Sequence, residues 1–358
     1  MIRWRSGTVL TTRGEWPGAV ELDVSTADGT IRALAYPGLT GRPDPGDRVL
    51  LNTTALAQGL GTGGYALVVA LPDRLPADPD GPGHIVKARY TPLQATVLSA
   101  DEQDSPHHEV LASADDISGV PVVIADLHSA LPAILAGLQA SHPGPPAAAY
   151  VMLDGGALPA WFSRTVAGLR AAGWLCGTVS TGQAFGGDLD TVTVHSGLLA
   201  ARHVLGAGVI VVTQGPGNLG TGTRWGFSGV ACGEAVNAAA VLGGRPVASL
   251  RISGADPRDR HRGVSHHSLT SYGRVALATA DVVVPDLPGE FGVRVAGQAA
   301  ALAGRHKLVT VGVAGLAAAL GRCPVPLSCM GRGPGQDPAY FLAAAAAGRH
   351  AAALLTAG

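Results

Sequence analysis

Seven short apolar runs, separated by stretches of helical composition, constrain this chain more than any other feature; they occupy residues 120–125, 148–153, 175–180, 209–213, 247–252, 282–285 and 307–311. Each has the length of a strand, and most lack the polar alternation of a strand with one wet face. The intervening stretches, among them 131–140, 160–172, 233–242 and 290–303, read as helices. Strands alternating with helices predict a mostly parallel, Rossmann-like three-layer α/β domain, whose ligands bind beyond the carboxyl ends of the strands.

The first 70 residues follow another pattern, with β-prone runs such as Gly7-Thr-Val-Leu, Ala19-Val-Glu-Leu-Asp-Val and Thr30-Ile-Arg-Ala-Leu-Ala separated by turn residues. Asp28-Gly29 stands where a hairpin turn would. A small β-barrel or sandwich is expected over residues 1–75. The proline-rich stretch that follows gives a linker at 76–84, and the α/β domain takes 85–358. Two domains also suit a chain of 358 residues.

Composition excludes several classes. Hydrophobic residues make up 47% and charged ones 14%, so the chain can bury a core. A formal charge of −1 offers no broad field for phosphate backbones, so nucleic-acid binding is not expected. The four cysteines form no CxxC pair, which points to reduced, mostly buried thiols. Neither the first residues nor the short apolar stretches near the end resemble a secretion signal or a membrane span. The expectation is a cytoplasmic protein without membrane contact, with assembly into a homo-oligomer left open.

If the runs are parallel neighbours, the turns after them gather on one rim. These turns are Asp126-Leu-His128-Ser129, Asp154-Gly-Gly156, Thr181-Gly-Gln183, Gln214-Gly-Pro-Gly-Asn218 and Ser253-Gly-Ala-Asp256. The last leads into residues 256–268, which crowd Asp256, Arg258, Asp259, Arg260, His261, Arg262, His266 and His267 into a chain otherwise poor in charge. Such crowding is costly to bury unless the groups are paired or used. His261, His266, His267 and Asp256 are candidates for proton transfer, and Arg258, Arg260 and Arg262 for holding phosphate or carboxylate. His261 and His266 with Asp126, His128, Asp154 and Asp188 have the mixed N/O chemistry of a Zn, Mn or Fe site. In a strand His266 and His267 point opposite ways, one to act and one to support it. The alternative is an ion-pair network capping a helix that begins near Ser265.

The glycine-rich turn 214–223 follows an apolar strand and precedes a helix. Gly215, Gly217, Asn218, Gly220, Thr221 and Thr223, joined by Gln183, are candidates for a backbone and hydroxyl cradle around an anion. The turn lacks both the GxGxxG fingerprint and the P-loop lysine, so a tight strand-to-helix connection is the competing reading. Asp188 and Asp190 share a strand face, or else Asp190 caps the helix towards Arg202.

The segments Gly182-Gln-Ala-Phe-Gly-Gly-Asp188, Gln214-Gly-Pro-Gly-Asn-Leu-Gly-Thr-Gly-Thr223 and Arg260-His-Arg-Gly-Val-Ser-His-His-Ser268, with His84-Ile-Val-Lys-Ala-Arg-Tyr-Thr-Pro-Leu-Gln94, are jointly distinctive. They resemble an uncharacterised bacterial family carrying a domain-of-unknown-function label, over nearly the whole chain. The resemblance implies a cytoplasmic bacterial protein and brings no activity, cofactor or catalytic residue with it. From residue chemistry, the expected function is an enzyme acting on a small phosphorylated or carboxylated molecule by hydrolysis or group transfer, with a divalent metal as the candidate cofactor. The alternative is a noncatalytic module for a nucleotide-like ligand or for assembly.

Overall fold

The computed structural model describes residues 1–61, 63–144 and 146–356. The chain divides into two compact units, Met1–Val97 with Trp161–Ala167, and Leu98–Ala160 with Gly168–Gly358.

In the first unit, strands β1 (Trp4–Trp16), β2 (Ala19–Thr26), β3 (Gly29–Ala35), β4 (Arg48–Asn52) and β5 (Ala66–Ala70) close into a barrel in the order β1-β2-β3-β5-β4. Closure depends on β1, which pairs with β2 along its length and with β4 through Trp4 to Thr8. Its register shifts at Val9/Thr11 and Thr12/Gly14 supply the bend that such double pairing requires. At Gly7 an added Cβ would stand 2.5 Å from Val24 Cγ1, so only glycine lets β1 cross there. Alternate residues Val20, Leu22, Val24, Ala33 and Ala35 fill the interior. Short helices α1 (Pro37–Thr40) and α2 (Thr54–Ala57) bridge strands. Residues 85–97, which the sequence assigns to the α/β domain, form their own hairpin of β6 (Ile85–Lys87) and β7 (Ala95–Val97) inside the first unit.

The second unit carries eight parallel strands: β8 (Pro121–Ile124), β9 (Ala148–Leu153), β10 (Gly177–Ser180), β11 (Leu189–Asp190), β12 (Val209–Gln214), β13 (Arg245–Ser249), β16 (Asp281–Asp286) and β17 (Lys307–Gly312). Their order is β11-β10-β9-β12-β8-β13-β16-β17. β8, β9 and β12 are buried along their whole lengths, which accounts for their unbroken apolar runs. The helices are α3 (His108–Ala112), α4 (Leu131–Gln139), α5 (Arg164–Ala171), which straddles the unit boundary, α6 (Val194–His203), α7 (Ala231–Val241), α8 (His266–Thr270), α9 (Gly289–Ala299), α10 (Leu316–Gly321) and α11 (Pro338–Thr356). No described helix is long and apolar enough to cross a membrane.

α6 packs on α7 and α4 on α11. The second crossing explains the alanine-rich tail. An added Cβ on Gly137 would lie 1.9 Å from Ala345 O, and one on Gly348 would lie 1.9 Å from Ile134 O. The two backbones therefore meet directly, and the buried alanines 343–347 are what such an approach admits.

Strand order also locates crevices. β8 leads to β9 on one side of the sheet and β13 leads to β16 on the other, so the connections diverge between β8 and β13; they diverge again between β9 and β12. Ligands of open α/β sheets bind at the carboxyl ends of such diverging pairs. The run expected at 247–252 is broken. β13 ends at Ser249, and Ile252–Ser253 turns away as β14 to pair antiparallel with β15 (Gly263–Val264). That ladder pinches residues 254–262 into a loop beside the β8/β13 crevice.

Candidate functional site

The pinched loop delivers three imidazoles to one place. Ser265 follows β15 and caps α8, its Oγ accepting the His267 N–H at 3.2 Å. His266 and His267 thus open a helix and are not in the strand that sequence reasoning entertained. Adjacent helical residues stand about 100° apart, which splays the two rings without opposing them. His261, from the turn Asp259–His261, completes a triangle of rings with them. Ring centroids are 5.0 Å apart for His261 and His266, 4.9 Å for His261 and His267, and 4.5 Å for His266 and His267. One ring nitrogen of each lies within 4.8 Å of the others. Ser265 Oγ also lies 2.8 Å from His261 Nδ1, so the helix cap orients a second imidazole.

Beneath them lies a buried charge array. Asp126, at the end of β8 and 4% exposed, places Oδ2 3.4 Å from His267 Nδ1 and 3.7 Å from Arg251 Nη1, without an aligned hydrogen bond to either. Arg251 Nη1 stands 3.2 Å from His267 Nδ1, and its Nη2 lies 3.9 Å from Asp256. Asp256 accepts two bonds of 2.9 Å from the Arg258 fork and one of 3.3 Å from Arg332. Arg332 Nε lies 3.4 Å from Asp337, which also accepts from Ser253 Oγ at 2.5 Å and Gly254 N at 3.0 Å.

The array sets protonation. Desolvation, helped by Arg251 and Arg258, pushes His261 down to about 3. Desolvation, with His267 and Arg260 adding to it, pushes His266 down to about 4. Both are neutral at pH 7. Burial works to raise Asp126, but His267 and the Arg251 charge outweigh it and hold the carboxyl below its ordinary value. Hydrogen bonding from Arg258 does the same for Asp256.

The glycine-rich loop reaches the same site through Phe227, which stacks on His267 with centroids 3.8 Å apart. As a cradle it is largely spent on itself. Leu219 N donates to Ser228 Oγ, Thr221 N to Gly226 O and Gly226 N to Thr223 Oγ1, while the Thr221 and Thr223 hydroxyls share a 3.0 Å bond. Asn218 Oδ1 accepts from Gln214 Nε2, Gly220 bridges to Phe227, and Gly217 turns the chain at a φ of 93°. Gly215 is needed for packing, since an added Cβ would lie 2.5 Å from Ala157 O.

Of the expected metal set, His261 and His266 come together, His267 joins them, and Asp126 lies behind the cluster, 3.4 Å from His267 Nδ1. Asp188 does not: it accepts from Thr178 N at 2.7 Å and Arg170 at 3.0 Å beside β11, four strand spacings from β8, or about 19 Å. Asp154 accepts Gln183 N at 2.8 Å, tying the turns after β9 and β10 together, and His128 Nδ1 lies 3.0 Å from the Tyr150 hydroxyl. Asp190 does not cap α6; it accepts Gly186 N, and Thr193 forms the capping box with Ser196. Arg258 is neutralised by Asp256, and Arg262 is exposed, its carbonyl 3.4 Å from Arg294 Nη2. Arg260 is exposed, with its guanidinium near Gly222 and no carboxylate partner among the described residues. Cys232 and Cys329 are buried, Cys323 is partly so and Cys176 is exposed, all as free thiols.

Sequence reasoning missed Phe227, Arg332 and Asp337. A phenylalanine inside a polar, glycine-rich loop was a usable signal. The partners of Arg332 and Asp337 are 76 and 84 residues away, and no local pattern marks them.

Fold and site together define an α/β protein that joins a five-stranded barrel to a parallel sheet with a histidine-rich rim. The chain belongs to the family described as "Protein of unknown function (DUF3866)", whose model matches residues 32–348. No curated protein matches it.

Proposed function

We propose that the protein is an enzyme acting on a small phosphorylated or carboxylated molecule, by hydrolysis or group transfer, at the carboxyl ends of β8 and β13. One observation carries this reading: two imidazoles held neutral, His261 and His266, sit above the buried Asp126/Arg251 pair at a crevice where strand connections diverge. Neutral imidazoles beside fixed charge suit proton transfer near neutral pH. His266 is the acid/base group, because its buried Nε2 has no hydrogen-bond partner among the described residues. His261, oriented by Ser265, assists it. Arg260, with no carboxylate to neutralise it, holds the substrate anion, whereas Asp256 keeps Arg258 and Arg251 in place. Four free thiols suit a reducing, cytoplasmic setting.

The test is a turnover screen of phosphate monoesters, carboxylic esters and amides with the wild-type chain, His266→Ala and Arg260→Ala. Loss of the acid/base group is expected to slow turnover by about 100-fold or more, and Arg260→Ala to raise KM. A ligand that raises the melting temperature of the wild-type protein without ever being turned over would overturn catalysis in favour of a binding module.

A further inference from the structure

We infer that His261, His266 and His267 form a binding site for one divalent transition-metal ion, zinc first among them, with Asp126 supplying a compensating charge just outside the ligand shell. The inference rests on the reading above for the place of the reaction and recasts His266 there, from the proton-transfer group of the metal-free cluster to a metal ligand; the site can be measured without any substrate.

The first support is spacing. A tetrahedral ion with bonds of about 2.1 Å holds its nitrogen ligands about 3.4 Å apart. The three ring nitrogens already lie within 4.8 Å of one another. Closing by roughly an ångström is within reach of small side-chain rotations.

The second support is a pair of orphaned acceptors. Among the described residues, His266 Nε2 and Asp126 Oδ2 are buried without hydrogen-bond partners, and Asp126 is 4% exposed. Buried polar atoms without partners are uncommon and costly. A cation at the cluster satisfies both, one by coordination and the other by charge.

The third is the arrangement behind the rings. His261 Nδ1 faces Ser265 Oγ and His267 Nδ1 faces Asp126 Oδ2, which leaves Nε2 of each ring to the ion. Ligating histidines characteristically give the other ring nitrogen to an oxygen in this way. Coordination at His267 Nε2 places the proton on Nδ1, which exchanges the 3.2 Å contact with the Arg251 Nη1 donor for a hydrogen bond donated to Asp126 Oδ2, now 3.4 Å away. Arg251 is an unfavourable neighbour, but Asp126 and Asp256 balance Arg251 and Arg258, so the buried array behind the ion carries no net charge, and the exposed Arg260 is a further cation acting on His266. Three imidazoles without a thiolate favour zinc or a neighbouring first-row ion over calcium or magnesium. Such a set keeps one coordination position open for water or substrate.

The experiment titrates the chelator-stripped full chain with Zn2+ by calorimetry and with Co2+ by visible absorption. One equivalent is expected to bind, with stoichiometric uptake lost in His266→Ala and kept in His203→Ala, an exposed histidine on α6. Imidazole nitrogen NMR of the wild-type protein decides the matter even if the variant fails to fold: zinc should shift His261, His266 and His267 together. Absence of stoichiometric uptake by the folded wild-type chain, uptake retained in His266→Ala, or shifts at other histidines overturns the site. Turnover of a phosphate or carboxylic ester that persists undiminished in the stripped protein removes the metal and leaves the proposed reaction standing. Zinc bound as expected with no turnover of any substrate supports the site and counts against the reaction.

Discussion

The Phe227 ring lies flat on the His267 imidazole, with centroids 3.8 Å apart and planes 6° from parallel. The contact fastens the glycine-rich loop to the histidine cluster, two segments that sequence reasoning treated as separate walls. Phe227→Leu keeps an apolar side chain and removes the stack, so we expect about 1 kcal/mol of lost stability in urea titrations. The His267 ring protons should also move downfield as the ring current disappears.

Acid should weaken the fold through the imidazoles. His261 and His266 stay neutral in the fold to about 3 and about 4, whereas an unfolded histidine takes up its proton near 6.5. Between these limits the unfolded chain binds more protons, so stability is full above pH 7 and falls as pH drops from about 6.5 towards 4. The slope approaches about 1.4 kcal/mol per pH unit for a fully buried imidazole, and less for the partly exposed His266. Urea midpoints at pH 7.5, 6 and 5 measure it; His266→Ala should flatten the profile, and an unchanged profile would sink this account.

Removing Asp256 leaves Arg251 with Asp126 as its remaining carboxylate and takes from Arg258 and Arg332 the carboxylate they share. Breaking one side of a buried charge array costs about 3–5 kcal/mol. Asp256→Ala is therefore expected to lower the melting temperature sharply. Arg262→Ala, on the exposed flank of the same loop, should change it little.

Glycines sort by their surroundings. Gly137→Ala or Gly348→Ala forces a methyl group into a facing backbone carbonyl 1.9 Å away, which we expect to cost at least about 3 kcal/mol or to prevent folding. Gly297→Ala, in α9 with open space around the added carbon, should stabilise by about 0.5–1 kcal/mol. Parallel thermal denaturation of the three variants tests the contrast.

Strand identity was legible because burial on both faces leaves an unbroken apolar run, as in Val209-Ile-Val-Val, and because the barrel strands alternate, as in Ala19 to Val24. Ser265 as a cap was legible for the same local reason, a short hydroxyl ahead of a helix. Asp190 misled because Thr193, three residues on, offers the same chemistry with Ser196 as its reciprocal partner. Which rim residues meet was not legible, because lateral strand order decides it: Asp126 and Arg251 become neighbours only because β13 crosses over to pair with β8. Asp188, equally polar, was carried to the far edge by β11.

The array also bears on how the protein is made. Asp337 reaches 84 residues back to Ser253, and the Tyr272 hydroxyl reaches 148 residues back to Ile124 beneath Asp126. Contacts of such long sequence separation are closed late, after their loop entropy has been overcome. A nascent chain emerging from the ribosome can complete its barrel with nothing yet present of the pocket, and until residue 337, just ahead of α11, has been translated the array lacks one of its carboxylates.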